Sequence, residues 1–248
     1  MTEVTLAVTE LHAGYEGVTV LRGVTMHARD REIVSIIGPN GAGKSTFLKA
    51  VAGIVRPTSG SVVFRGDDVT GYRPDRLTRR GLGFVPQLDN VFPTLTVSEN
   101  LSVGAQAIPR GDRNEAVAAV VELIPLLRDR RRQRADTLSG GQRKLLALGR
   151  ALVGRPSLLL LDEPSAGLSP QAMDIVFSEL ERIRDRGIGI VIVEQNARRA
   201  LALSNRGYVL DMGRNAHEGA GADLLVDPLV AELYLGSMTS ASIRREPG

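Results

Sequence analysis

The sequence predicts an α/β fold, with a mostly parallel sheet covered by helices on both faces, an antiparallel β subdomain at the N-terminus and an inserted helical lobe. Three observations predict it. Short apolar runs such as "EIVSIIG", "LLLLD" and "IGIVIVE" alternate with longer segments of helical spacing, the pattern of strand-helix-strand units. The opening stretches "TLAVTELHAGY" and "GVTMHA" follow one another with no helix between them and read as short antiparallel strands. From Phe92 to Ala135 strands vanish and helical patterning takes over.

The elements follow in order. "EIVSIIG", ending at Gly38, is a buried strand that runs into "GKSTFLKAVAG", an amphipathic helix. In the lobe, "RNEAVAAVVELIPLLRDRRR" carries apolar residues at helical spacing. "LSGGQRKLLALGRAL" is a further helix, and "LLLLD" and "PQAMDIVFSELERIRDRG" form the next strand and helix. "IGIVIVE" is too short and too β-branched for a helix, "ARRALALS" follows it, and "RGYVLDMG" is the last strand. Residues 1–236 are therefore expected to form one domain, with 92–135 as the lobe set between 1–91 and 136–236. Residues 237–248 lack apolar periodicity and are expected to fray.

Composition narrows the function classes. With 248 residues and 43% hydrophobic content, the chain can bury a full core. A net charge of +3 is weak evidence for a nucleic-acid partner, and none is expected. The absence of cysteine excludes disulfides and thiolate metal sites. The opening "MTEVTLAVTELHAGY" has no signal-peptide pattern, and no apolar stretch approaches the ~18 residues of a membrane span, so membrane association is expected through a partner. The basic run "RDRRRQRAD", Arg128 to Asp136, reads as a solvated connection within the lobe rather than a nucleic-acid or lipid site.

Three motifs carry chemistry. Gly38-Pro39-Asn40-Gly41-Ala42-Gly43-Lys44-Ser45 matches G-x-x-x-x-G-K-[ST] between a strand and a helix. Its glycines let backbone N–H groups close around phosphate, Lys44 would reach the β- and γ-phosphates, and the Ser45 hydroxyl would bind Mg²⁺. Thr46, next in the motif, is a further candidate ATP-binding residue. The alternative is a plain glycine-rich strand-to-helix turn. Downstream, the strand "LLLLD" ends in adjacent carboxylates. Asp162 is suited to the Mg²⁺ shell and Glu163 to polarising water, provided that the strand stops between them, because successive strand residues face opposite ways. The alternative is a surface Asp-Glu-Pro turn. The third motif, Ser139-Gly140-Gly141-Gln142, opens a helix and makes a second phosphate cradle in one chain.

With this motif the sequence resembles the nucleotide-binding subunits of ABC transporters, over about Thr5 to Gly236. The resemblance implies a P-loop NTPase, RecA-like core, ATP and Mg²⁺ as cofactors, and a head-to-tail dimer in which Ser139–Gln142 face the phosphate loop of a second subunit. It implies that Tyr15 stacks on adenine and that Gln87, in "GFVPQ", touches Mg²⁺ and reports to the membrane subunit. "AGLS", Ala166 to Ser169, stands where the loop crossing the dimer interface lies; most members end it with Asp, and here it is Ser169. Gln195 stands where the family usually carries a histidine to the γ-phosphate. The three histidines, His12, His27 and His217, fall elsewhere in the motif order.

"EQN", "GLSP" and the terminal "AELYLG" together resemble one of the two ATPase subunits of branched-chain amino acid importers and their urea or amide relatives. Such a subunit would pair with a second ATPase, as a heterodimer or homodimer, and with integral membrane permeases at the cytoplasmic face. A solute-binding protein would supply the cargo. Chromosome-maintenance ATPases with a related head carry a long coiled coil between phosphate loop and signature, whereas here about a hundred residues without sustained heptads lie between. A regulatory subunit that binds ATP with little turnover is a further alternative.

Two local readings stay open at this level. Glu194, Gln195 and Asn196 either supply a site at the carboxyl end of the sheet or simply start the next helix, with Asn196 as its cap. Val91, Phe92, Leu95 and Val97 either form an apolar docking cluster for the membrane partner beside Gln87 or pack inside the lobe.

Overall fold

The computed structural model describes residues 4–88 and 90–234. The expected tail, 237–248, lies outside the described residues. Two sheets organise the fold. In the first, β1 (Val4–Tyr15) and β2 (Val18–Arg29) form a hairpin of two long strands rather than two short ones. Glu16 and Gly17 turn it, both with positive φ, 48° and 83°, as a tight hairpin whose twist matches its strands requires. β4 (Ser59–Phe64) and the short β5 (Asp67–Asp68) complete the sheet in the order β2-β1-β4-β5.

The second sheet joins β3 (Ile33–Ile37), β6 (Leu82–Val85), β7 (Leu158–Asp162), β8 (Gly189–Val193), β9 (Arg206–Asp211) and β10 (Arg214–Ala220). Its order is β10-β9-β3-β8-β7-β6, and every pairing but β9-β10 is parallel. β3, β7 and β8 are buried at every residue, as central strands covered on both faces must be. Their side chains divide by the two-residue period. Leu158, Leu160, Val191 and Val193 pack with Phe47 of α1 (Lys44–Val51) and the antiparallel sheet. Leu159, Leu161, Ile190 and Ile192 face α6 (Gly140–Val153) and α7 (Pro170–Asp185).

Neither β4 nor β6 stands out in the sequence, since each is short and bounded by glycine or serine. α2 (Pro74–Arg79) leads into β6, while α8 (Ala197–Leu203), α9 (Gly221–Val226) and α10 (Pro228–Tyr234) close a small cluster over Ile37 and Val209.

The inserted segment folds as α3 (Val97–Gly104), α4 (Arg113–Leu123) and α5 (Pro125–Asp129). The single helical run suggested by "RNEAVAAVVELIPLLRDRRR" is broken at Ile124, which adopts φ −118°, ψ 81°. Pro125 is the cause, because its ring excludes the preceding residue from the helical region. α6 joins this layer: a Cβ added at Gly149 would lie 2.6 Å from Leu127, so the helices meet there at glycine distance.

At the entrance to the lobe, Thr96 and Glu99 form a reciprocal capping box on α3. The fully buried Asn100 accepts from Phe92 N at 2.8 Å and donates to the carbonyls of Phe92 and Thr96 at 3.0 and 2.9 Å. This one side chain pins the segment that follows Gln87.

Candidate functional site

The phosphate-loop motif leaves β3 and enters α1 along a path that only glycine tolerates. Gly38 has φ 143°, and a Cβ there would stand 2.0 Å from the Leu210 carbonyl oxygen. Gly43 has φ 97° and closes against Leu21 of β2. The β9-β10 turn braces the loop from outside: Gly213 N donates to Ala42 O at 3.1 Å, and Arg22 N donates to Gly213 O at 2.8 Å. The sequence reading missed Leu210 and Gly213 as supports; the only signal was "DMG", a turn pair whose Met212 and Gly213 both take positive φ.

Lys44 is 5% exposed, and its Nζ donates to the carbonyls of Gly38 and Pro39 at 2.8 and 2.9 Å. Burial lowers its pKa, against the opposing pull of Glu163 and Asp162. No acidic residue occupies the first turn of α1, so no carboxylate of the helix itself competes with a phosphate for its N-terminal N–H groups.

At the carboxyl end of the sheet, Asp162 is the last residue of β7 and its Oδ1 accepts from Ser45 Oγ at 2.8 Å. The strand stops there. Glu163 takes a left-handed φ of 45°, and its N–H turns to bond Val193 O at 2.9 Å. The break turns the two adjacent carboxylates to different partners: Asp162 faces Ser45, while Glu163 accepts from Gln87 Nε2 at 2.6 Å. Ser45, Asp162, Glu163 and Gln87 are thus brought together beside Lys44. Lys144, on the second turn of α6, was missed; its Nζ donates to the Gln87 carbonyl at 2.9 Å. Burial lowers its pKa, opposed first by Glu194 and then by Asp162 and Glu163.

"EQN" divides its labour. Asn196 is the N-cap of α8, its Oδ1 accepting from Arg199 N at 3.3 Å. Gln195 is exposed at the carboxyl end of β8, and Glu194 is buried against Ser165. All three histidines sit on the antiparallel strands, His12 on β1, His27 beside Tyr208 on β2, and His217 beside Tyr234 on β10. Burial lowers the pKa of His27.

Ser139 caps α6 in a reciprocal box with Gln142, leaving Gly140 and Gly141 beside Leu168 and Ala172. No hydrogen bond among the described residues joins Ser139–Gln142 to Gly38–Thr46. Ser169, the residue at which the loop departs from the expected Asp, caps α7 by accepting from Ala172 N at 3.4 Å. Tyr15 is 45% exposed at the end of the β1-β2 hairpin, the strand pair that also contacts Gly43 through Val20 and Leu21.

The apolar docking cluster is corrected in part. Val97 is fully buried in the lobe core and Val91 packs against that core, whereas Phe92 and Leu88 are exposed. Val97 turns inward because it opens α3 directly after the cap, on the face opposite the Thr96–Glu99 box. Phe92 lies under the Arg150 guanidinium, 5.1 Å from ring centroid to Cζ. A cleft of about 530 Å³ runs between Gln87, Leu88, Asn90, Val91 and Pro93 on one side and the start of α6 and Ala166–Leu168 on the other.

The donor set fits a Mg-nucleotide. The loop offers backbone N–H groups and one buried cation, and Ser45, Asp162 and Gln87 offer oxygen ligands. No group of three His, Cys, Asp or Glu occurs among the described residues, and Mg²⁺ held largely by phosphates and water needs only one or two side chains. No helix among the described residues is long and apolar enough to cross a membrane.

Comparison with known proteins agrees with this chemistry. Residues 21–166 match the ABC transporter family model. The chain is 42% identical to the high-affinity branched-chain amino acid transport ATP-binding protein BraG of Pseudomonas aeruginosa, over 90% of this chain and 95% of that one. It is 38% identical to the probable branched-chain amino acid transport ATP-binding protein LivF of Archaeoglobus fulgidus, over 93% and 98%. The lipopolysaccharide export ATP-binding protein LptB of Escherichia coli is 35% identical over 94% and 97%. Among solved structures, an ATP-binding cassette of an ABC transporter in its ADP conformation superposes with a TM-score of 0.86 at 28% identity, covering 95% of this chain and all of that one. A dimeric post-hydrolysis cassette bound to ADP and Pi matches at 0.75 and 26% identity, over 87% and 98%.

Proposed function

Because the chain belongs to the ABC transporter family, as an ATP-hydrolysing subunit with ATP and Mg²⁺ as cofactors, we propose that it energises import of branched-chain amino acids through a membrane permease. The phosphate loop and Lys44 hold the β- and γ-phosphates, with Tyr15 against the adenine. Ser45, Asp162 and Gln87 hold Mg²⁺. Bound ATP supplies the phosphoanhydride to be cleaved and Mg²⁺ the positive charge that offsets its oxygens. Glu163 orients and polarises the attacking water, and the Gln195 amide donates toward the γ-phosphate. Ser139, Gly140, Gly141 and Gln142 act in trans, on the nucleotide of a second ATPase subunit.

The observation that carries the reading is the pair of bonds Ser45–Asp162 and Gln87–Glu163, which gather four residues from three separate segments beside Lys44. Solute class rests on the likeness to BraG and LivF. The cleft beside Gln87, lined in part by the exposed Leu88, suits docking of a permease segment on the cytoplasmic face of the membrane. A heterodimer suits this site best, because a distinct, histidine-bearing second ATPase would supply the cationic donor that Gln195 cannot become, and a homodimer is the alternative. A second reading, lipopolysaccharide export, rests on the LptB relatives.

Purification of the chain with its membrane partners, followed by ATPase assays with a solute-binding protein, tests the proposal. Stimulation by leucine, isoleucine or valine is the expected result. Stimulation by lipopolysaccharide alone favours the second reading, and no copurifying permease overturns both.

A further inference from the structure

Glu194 is a carboxylate 1% exposed, set between two functional segments and serving neither of the tasks described so far. Its Oε1 accepts from Ser165 N at 2.9 Å and its Oε2 from Ser165 Oγ at 2.8 Å. Ser165 is itself 4% exposed. An ionisable group is costly to bury unless it is hydrogen-bonded, and here both oxygens are bonded to one residue. Lys144, which feels the charge of Glu194, reaches back to the Gln87 carbonyl at 2.9 Å.

The neighbours of this pair give it meaning. Glu194 immediately precedes Gln195. Ser165 follows Glu163 by two residues and opens the loop Ala166–Ser169, which runs to the cap of α7. Backbone pairing already holds the two strands in register up to this level, since Asp162 pairs with Val193 and Glu163 N bonds Val193 O. Beyond it the chains diverge, and among the described residues the Glu194–Ser165 pair is the side-chain hydrogen bond that spans the gap.

We propose that Glu194 is a positioning residue that clamps Ser165, and through it fixes Glu163 and the Ala166–Ser169 loop relative to Gln195. This rests on the roles given above to Glu163 and Gln195. A clamp on both the N–H and the hydroxyl removes translation and rotation of Ser165 together, which a single bond would not do. Displacement of Gln195 is then passed to the loop through a contiguous, fully paired contact.

The test uses the complete transporter with Glu194→Ala, Glu194→Gln, Ser165→Ala and the Glu194→Ala/Ser165→Ala double variant, measuring kcat and KM for ATP, nucleotide affinity and thermal midpoint. Glu194→Ala is expected to lower kcat about 10–100-fold with KM within about threefold, the pattern of a group that acts after binding. Ser165→Ala, which keeps the backbone bond, is expected to lower kcat about 3–10-fold. The double variant should fall no lower than Glu194→Ala, because both substitutions remove one interaction.

Glu194→Gln is expected to restore kcat to within about threefold, since the amide oxygen still accepts the N–H and the amide NH₂ can donate to the hydroxyl. Should Glu194→Ala fail to fold, Ser165→Ala and Glu194→Gln decide alone. An unchanged kcat in Ser165→Ala, strictly additive losses, or losses of kcat that track the thermal midpoint in every variant overturn the clamp. Glu163→Gln in the same complex separates the two levels. Normal turnover there overturns the site reading itself, whereas an inactive Glu163→Gln with full activity in Glu194→Ala overturns only the positioning role.

Discussion

Replacing Glu163 by Gln removes the proposed base while leaving its shape. Gln87 Nε2 donates to Glu163 Oε2 at 2.6 Å, and an amide oxygen at the same place can still accept that bond. The bond loses its charge assistance, a change from roughly 1.5–3 to roughly 0.5–1.5 kcal/mol, so about 1 kcal/mol of support for Gln87 is lost. Nucleotide binding feels the opposite effect. Glu163 is one of the two anions that act on Lys44, and its neutralisation removes a negative charge from the field facing the phosphates. The two effects nearly offset, and ATP affinity is expected to stay within about fivefold. Hydrolysis has no such offset: losing a positioned general base costs about 10²–10⁴ in rate, or about 3–5 kcal/mol of barrier. Single-turnover hydrolysis in the assembled transporter, beside equilibrium binding of a fluorescent ATP analogue, measures both. A hydrolysis rate within tenfold of the unsubstituted protein refutes the assignment of Glu163. Parallel loss of binding refutes the separation of its role from that of Lys44.

Lys44→Ala deletes the one buried cation of the loop, and a charged hydrogen bond worth about 1.5–3 kcal/mol predicts a rise of about 10–200-fold in the Kd for ATP, read by the same fluorescent analogue. Gly38→Ala drives a methyl group to within 2.0 Å of the Leu210 carbonyl at φ 143°, and overpacking with backbone strain is expected to cost about 2–5 kcal/mol in urea unfolding. An unchanged midpoint would show that the β9-β10 turn yields freely. Gln195→His is expected to raise turnover several-fold, below the ~10²–10³ that one donor to developing charge supplies. With Gln195 in place of a histidine, this site is expected to be the slower of the two in the complex; hydrolysis measured with the partner's catalytic glutamate disabled isolates it, and equal rates from the two sites would refute the difference.

The sequence by itself determined whatever depends on local chemistry. Buried strands betray themselves by β-branched or leucine runs, and β3, β7 and β8 are where those runs lie. The phosphate loop is legible because its glycines and Lys44 are consecutive, and the caps Ser139 and Asn196 because a capping side chain bonds three residues on. Tertiary structure decided what depends on residues far apart in the chain. Ser45 meets Asp162 across 117 positions, Gln87 meets Glu163 across 76, and Ser165 meets Glu194 across 29. No periodicity encodes such meetings. Val97 could have faced a partner or the lobe, and only the packing of α3 on α6 settled it inward. Glu194 stood open between a site residue and the start of a helix until β7 and β8 lay side by side and put it on Ser165. A hydrogen bond needs its two atoms within about 3 Å, and the parallel sheet, not the order of residues, supplies that proximity.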